Sequence, residues 1–332
     1  MNDRLERVRA WAGRTLPGRV LDIAPASADA SFRAYFRVRW PGGSAIVMDA
    51  PPAHEDCRPF VRIAGALAQL GLNVPRVLAA AIGAGLLLLS DLGDTQYLDK
   101  LGDATADRLY GDALDALARL ALGGDPASGV LPPYDDALLL REMNLFRDWF
   151  LVRHLGLTLD GAEHALLDTT FALLSEKARA QPQVWVHRDY HSRNLMVCAP
   201  HDPGVLDFQD AVIGAVTYDL VSLLRDAYID WPDARVAGWV ESYRQRLAGS
   251  VLARASADAF LRDFELMGAQ RQLKVCGIFA RLAWRDGKHR YLADIPRVFE
   301  YLLGACARHP ELAGLGRFLH ARVVPALAGE TA

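Results

Sequence analysis

Cysteine is scarce in this chain. Four of its 332 residues, Cys57, Cys198, Cys276 and Cys306, lie far apart and form no C-x-x-C pair. That spacing speaks against a disulfide framework and a thiolate zinc site, and it fits a reducing cytoplasm. Long hydrophobic runs are also missing. The longest, Ala79 to Leu89, is about half of the roughly 20 residues that a membrane span requires. Neither sign of charge dominates: 37 Lys and Arg against 40 Asp and Glu leave a formal net charge of −3, which gives no reason to expect a nucleic-acid partner. The opening stretch MNDRLERVRAWAGRTL carries acids in its first turns and has no serine bias, so it reads as neither a signal nor a transit peptide.

What is present describes an ordinary soluble globular protein, 52% apolar and 23% charged. Its length allows a large core in two lobes or one large domain. Residues 3–16 have the pattern of an amphipathic helix. ASADASFRAYFRVRW is a small-residue loop leading into an alternating, aromatic-rich strand, which Pro41-Gly42-Gly43 turns into a second strand, SAIVMDA. RPFVRIAGALAQLGL follows as a helix, with Pro59 suited to its first turn and Gly71 placed to end it. PRVLAAAIGAGLLLLSDLGD then supplies two more strands, so the first 90 or so residues read β-β-α-β-β. From Gln96 onward the chain is mostly helical, except for 184–207, where VWV, LMVCA and GVLDF are short β-like runs separated by polar turns.

The first of those turns, VHRDYHSRN, crowds titratable side chains onto a loop between strands, where catalytic residues often sit. Two chemistries fit. His187, Asp189 and His191 form H-x-D-x-H, which could ligate a metal as in a hydrolase. Alternatively Asp189 and Asn194 have the D-x-x-x-x-N spacing of a phosphoryl-transfer loop: an Asp orients the attacking hydroxyl and accepts its proton, an Asn holds Mg²⁺, and a later strand ends in a second metal-binding Asp. VLDFQD delivers that residue as Asp207. Both parts together, in a strand-loop-strand context, favour phosphoryl transfer over the metal-hydrolase reading.

VHRDYHSRNLMV, GVLDFQDAVIGAVTYDL and the β-β-α-β-β start resemble the aminoglycoside phosphotransferase family of the protein-kinase-like fold. The family's H-x-D-x-x-x-x-N matches His187, Asp189 and Asn194, its metal-binding Asp matches Asp207, and its Y-D-L matches Tyr218, Asp219 and Leu220. The resemblance implies an α+β, two-lobe, protein-kinase-like fold. Residues 1–91 would form a small β-sheet N-lobe with one helix, and 92–332 a mainly helical C-lobe. It also implies ATP and Mg²⁺. SADASFRAYFRV, VMDAPPAHED, REMNLFRDWFL, LLRDAYIDWP and GIFARLAWRDGKHRYLADIPR are more similar still to one branch, the bacterial amino-sugar kinases of cell-wall recycling. That branch phosphorylates the anomeric C1 hydroxyl of N-acetylmuramate and N-acetylglucosamine.

By that pattern adenine is expected near Ser90 to Gly93, with Ser90 and Leu92 as contacts, Asp189 as the catalytic residue, and Asn194 and Asp207 holding the metal with the phosphates. The family pattern is broken elsewhere. The loop 27–31, where a glycine-rich phosphate loop belongs, has no glycine, although the backbone amides of Ser27 to Ser31 could cradle phosphates. No lysine stands near Met48, and the helix from Pro59 to Leu70 has no Asp or Glu to pair one. Losing both members avoids a lone desolvated charge. Another cation would then meet the phosphates, Arg33 first and Arg37 second, or the chain is a nucleotide-binding pseudokinase.

Glu142, interrupting an apolar run, is expected to hydrogen-bond the sugar, and Arg225 to line the same cleft. The segment 260–300 holds eight Lys and Arg against five Asp and Glu. An aminoglycoside phosphotransferase should instead have an acidic pocket for its polycation, so Arg271 and Lys274 are the candidates for an anionic substrate. The expected partner is a small amino sugar, with no nucleic acid and no membrane, and the expected state is a monomer.

Overall fold

The computed structural model describes residues 2–27, 32–198, 200–253 and 256–330. The chain divides into two compact units, Met1–Arg119 with Arg193–Ala211, and Leu120–Ser192 with Val212–Ala332.

The first unit begins with α1 (Asn2–Thr15), followed by β1 (Asp22–Ser27), β2 (Ala34–Trp40) and β3 (Gly43–Asp49). Next come α2 (Arg58–Gln69), β4 (Val77–Ala81) and β5 (Leu86–Ser90). The five strands form one antiparallel sheet in the order β1-β2-β3-β5-β4. One strand more is present than the sequence pattern suggested. Pro25 lies inside β1, and proline is tolerated there because β1 is an edge strand whose outer side needs no ladder donor.

Strand alternation sends Phe36, Val38, Ala45, Val47, Leu86 and Leu88 to one sheet face, where Val8 and Ala12 of α1 and Leu16 just after it cover them. α2 buries Phe60, Ile63, Ala64 and Leu67, spaced for one helical face, and has Pro59 in its first turn. Gly71 adopts φ +77° just after it, a left-handed conformation that favours glycine. The helix α3 (Ala106–Gly123) follows, and the unit is completed by the hairpin β7 (Leu195–Met196) and β8 (Gly204–Val205). That hairpin is held by Tyr97 N donating to Leu195 O (2.8 Å) and Val205 N donating to Asn73 O (2.8 Å).

In the second unit α4 (Asp136–Leu145) runs on into a π-type segment, Phe146–His154, and α5 (Gly161–Ala180) leads to β6 (Gln183–Val186). β6 pairs antiparallel with β9 (Val212–Ala215). α6 (Tyr218–Leu224), α7 (Asp233–Arg246), α8 (Ala257–Asp286), α9 (Ile295–Arg308), α10 (Ala313–Phe318) and α11 (Val324–Glu330) complete it. α8 is the central element, capped by Ser256, whose hydroxyl accepts from Ala259 N, and ended by Gly287 at φ +69°. It packs against α4, the π-type segment, α5, α6, α7 and α9. A Cβ at Gly277 would come within 2.3 Å of the Leu145 carbonyl carbon, so glycine here lets α8 and the end of α4 approach backbone to backbone. No helix among the described residues is long and apolar enough to cross a membrane.

Candidate active site

The residues singled out by the sequence fall into two sets, one in each unit. In the second unit the chain leaves β6 at Val186 and turns through His187, Arg188 and Asp189. Arg188 adopts φ +77°, uncommon for a residue with a side chain. That conformation lets two successive amides point at one carboxylate: Asp219, in the first turn of α6, accepts from His187 N (2.6 Å) and Arg188 N (2.9 Å). Such a backbone costs about 1–3 kcal/mol and persists where its surroundings over-determine it. Asp219 is 2% exposed, and burial pushes its carboxyl up to about 7 against the pull of those two amides. The far end of the loop is held similarly, since Asp226 accepts from Ser192 N (2.9 Å) and Tyr228 N (3.0 Å).

Between these anchors sits Asp189, whose own amide donates to His187 Nδ1 at 3.2 Å. Burial raises its carboxyl pKa, but the fields of Lys274, His191, Arg188 and Arg271 prevail and hold it below the usual carboxylate value. The His191 ring lies edge-on to Tyr228, with centroids 5.5 Å apart. Among the described residues no group of three or more His, Cys, Asp or Glu gathers as a metal site.

Glu142 is 7% exposed and sits at the hub of this set. Its carboxylate accepts from Arg188 and Tyr134, and Lys274 Nζ lies 3.3 Å away. Lys274 Nζ also donates to the Tyr218 hydroxyl at 2.9 Å. The Arg188 guanidinium stands over the Tyr134 ring, 5.6 Å from its centroid. Burial opposes both charges of the Glu142–Lys274 pair. Even so, Lys274 and Arg188 keep the carboxyl of Glu142 below its ordinary value, while Tyr218 and Glu142 keep Lys274 above its own.

Glu142, expected to meet a sugar, therefore spends both carboxylate oxygens on protein donors. Arg225 likewise pairs with Asp233 and lies 5.0 Å over the Tyr301 ring. Arg271 differs from both, being 4% exposed with an Nη1 that makes no hydrogen bond.

In the first unit the β7–β8 hairpin brings Asn194 and Asp207 together. Asn194 Nδ2 lies 3.4 Å from Asp207 Oδ2, and Leu206 N donates to Asn194 O at 2.9 Å. Asp207 adopts φ +64°, and Gln209 Nε2 donates to its other carboxylate oxygen at 2.6 Å. A carboxamide oxygen and a carboxylate are hard donors. Their number suits Mg²⁺, which takes one or two protein ligands and completes its shell with water and phosphate oxygens.

The segment Ser90–Gly93 is tied to the same unit. Ser90 exchanges hydrogen bonds with the Arg76 backbone (2.9 Å each), and Cys198 Sγ donates to Leu92 O at 3.1 Å. Of the two cations considered for the phosphates, Arg33 pairs with Glu55 at 3.0 Å. Arg37 reaches Asp91 (2.7 Å) and Gly93 O (2.7 Å). Ser31 and the side chain of Ser27 lie outside the described residues. At the position lacking the kinase lysine, Met48 is fully buried, and its neighbour Asp49, also fully buried, is gripped by Arg4 and Arg7 of α1.

Sequence reasoning missed the Arg4–Arg7–Asp49 clamp and the parts played by Tyr134 and Arg188. The one signal for the clamp was that Arg4 and Arg7, three apart, share a helix face.

The chain belongs to the phosphotransferase enzyme family, whose model matches residues 22–260. It is 51% identical to the N-acetylmuramate/N-acetylglucosamine kinase of Pseudomonas aeruginosa, over 95% of this chain and 96% of that one. It is 49% identical to the kinase of the same name from Pseudomonas putida, over 96% and 92%. Among solved structures it resembles a choline/ethanolamine kinase family protein from Mesorhizobium loti, with a TM-score of 0.64 and 14% identity over 95% of this chain and 99% of that one. This last likeness bears on the fold alone: a kinase-like architecture with a five-stranded antiparallel sheet in one unit and a mainly helical second unit.

Proposed function

We propose that the chain is a cytoplasmic kinase that transfers the γ-phosphoryl group of ATP to the anomeric C1 hydroxyl of N-acetylmuramate and N-acetylglucosamine, returning cell-wall sugars to metabolism. The sugars are those in the names of its relatives. The observation that carries the chemistry is the environment of Asp189, a carboxylate kept ionised by Lys274, His191, Arg188 and Arg271 on a loop braced at both ends.

In this reading the C1 oxygen attacks the γ-phosphorus, its proton passes to the Asp189 carboxylate, and the bond to the β–γ bridging oxygen breaks, releasing ADP. A carboxylate held below its ordinary pKa is a weak base. It matches the hemiacetal hydroxyl, the most acidic on the sugar because the ring oxygen withdraws electrons. Asn194 and Asp207 would hold Mg²⁺, which neutralises charge on the phosphates when bound. Backbone groups of Ser90 to Gly93 would receive adenine. Glu142 and Lys274 act on the reaction by fixing the charge and position of Arg188 and Asp189, and most of the acceleration comes from positioning and electrostatics.

ADP release measured with N-acetylmuramate, N-acetylglucosamine, choline and kanamycin tests the reading. Turnover confined to the two amino sugars is expected; turnover of choline or kanamycin with none of the amino sugars overturns it.

A further inference from the structure

Helix α8 carries a run of polar residues in the interior of its unit. Gln270, Arg271, Gln272 and Lys274 are each at most 5% exposed. Buried polar groups are normally satisfied, and those that are not call for an explanation such as a ligand. Lys274 is satisfied by Tyr218 and Glu142, and Gln272 Nε2 donates to Arg225 O at 3.3 Å, while Gln272 Oε1 and the neutral amide of Gln270 make no hydrogen bond; of the two charged members, one is satisfied. Arg271 is not. Its buried Nη1 has no acceptor, and no ion pair among the described residues involves it. It feels the carboxylates of Asp189 and Asp219 only at a distance, and a buried guanidinium nitrogen with no acceptor is costly.

Arg271 and Lys274 lie three residues apart on one face of α8, and both act electrostatically on Asp189. Lys274 is tied through Glu142 to Arg188, the residue before Asp189. The face of α8 that carries the buried, unpaired donor of Arg271 therefore adjoins the turn of the carboxylate assigned to the reacting hydroxyl. The two sugars differ at one place: N-acetylmuramate bears a lactyl ether ending in a carboxylate, which N-acetylglucosamine lacks. Building on the function proposed above, we infer that Arg271 receives this carboxylate through charge-assisted, fork-like hydrogen bonds and sets the preference for the acidic sugar over the neutral one. Lys274 is less suited to the task, since two of its three donors hold Glu142 and Tyr218. A planar guanidinium suits a carboxylate better than an ammonium does.

The test compares wild type, Arg271→Met and Arg271→Lys on both sugars and on N-acetylmuramate with its lactyl acid converted to the carboxamide. Wild type should show a KM for the carboxamide about ten- to a hundredfold above that for the acid, the range of a hydrogen-bonded charge pair. Arg271→Met, which also weakens the field on Asp189, should lower kcat/KM for both sugars, but should cost the acid at least about tenfold more than N-acetylglucosamine and cancel the preference for acid over carboxamide. Arg271→Lys should fall between. Equal losses on both sugars would make Arg271 a positioning residue for Asp189 and overturn the inference. So would an unchanged preference in Arg271→Met, or a wild type that does not distinguish acid from carboxamide, an arm that requires no substitution. If wild type phosphorylates neither sugar, the proposed function itself fails, which is a separate outcome.

Discussion

The ammonium of Lys274 lies 3.3 Å from the carboxylate of Glu142, joining α8 to α4 inside the helical unit. Both groups are at least nine-tenths buried, and each has further partners: Tyr218 for Lys274, Arg188 and Tyr134 for Glu142. A buried pair of this kind contributes little net stability over an apolar replacement, but breaking it strands a charge. Its value here lies in what it touches, because Arg188 is in the turn that presents Asp189, and Lys274 is the largest of the cationic influences on that carboxylate.

Lys274→Met should therefore destabilise the protein by about 1–3 kcal/mol, less than the cost of a stranded charge because Arg188 and Tyr134 still hold Glu142. It should also move the acidic limb of the kcat/KM profile. Asp189 sits below the ordinary carboxylate value with Lys274 in place, so removing that field shifts the limb to higher pH. Denaturant titration and a pH–rate series measure the two effects.

Asp189→Ala should fold, bind ATP and lose turnover by roughly 10²–10⁴-fold, the usual contribution of a positioned acid or base. ADP release and a nucleotide-binding titration separate the two properties. Near-normal turnover would remove Asp189 from the reaction.

Asp219 contributes a pH dependence of stability with the opposite sign from a salt-bridged Asp. Its folded-state pKa is raised to about 7, so folded protein holds a proton that unfolded protein has released. Its contribution is fully present below the unfolded pKa, near 4, and is lost as pH rises through about 7. Asp219→Asn should flatten that part of the stability curve. It should also cost about 1–3 kcal/mol, because a carboxamide offers one acceptor where two amides need acceptors. Unfolding free energies at a series of pH values from 4 to 8 test both.

At the end of β3, Asp49→Asn should loosen α1 without touching turnover. Asp49 is buried and Arg4 and Arg7 are partly exposed, so the expected loss is about 1–2 kcal/mol. Faster amide exchange confined to residues 2–15 would report it, whereas unchanged protection there would show that packing of Val8, Ala12 and Leu16 alone holds the helix.

How much of this was legible in the sequence follows from distance along the chain. Asn194 and Asp207 could be matched because a short hairpin joins them, and its residues carry their own β signal. The helix α2 could be read from Pro59, Gly71 and the spacing between them. Strand β1 was missed because Pro25 argues against a strand unless one knows that the strand is an edge. Glu142 stood out as an acid within an apolar run, but its partners Arg188 and Lys274 come from β6's turn and from α8, and only folding brings them to it. The Arg4–Asp49 pair, 45 residues apart, had the same obstacle. Local chemistry was readable, while the counter-charges that tune it were not.

The central claim is that Asp189 serves phosphoryl transfer to the anomeric hydroxyl. Phosphorus NMR of the product formed from ATP and N-acetylmuramate tests it most directly. A phosphorus resonance coupled to the sugar H1, absent when Asp189→Ala replaces wild type, is the expected result; coupling to the C6 protons, or the same product from the variant, would contradict it.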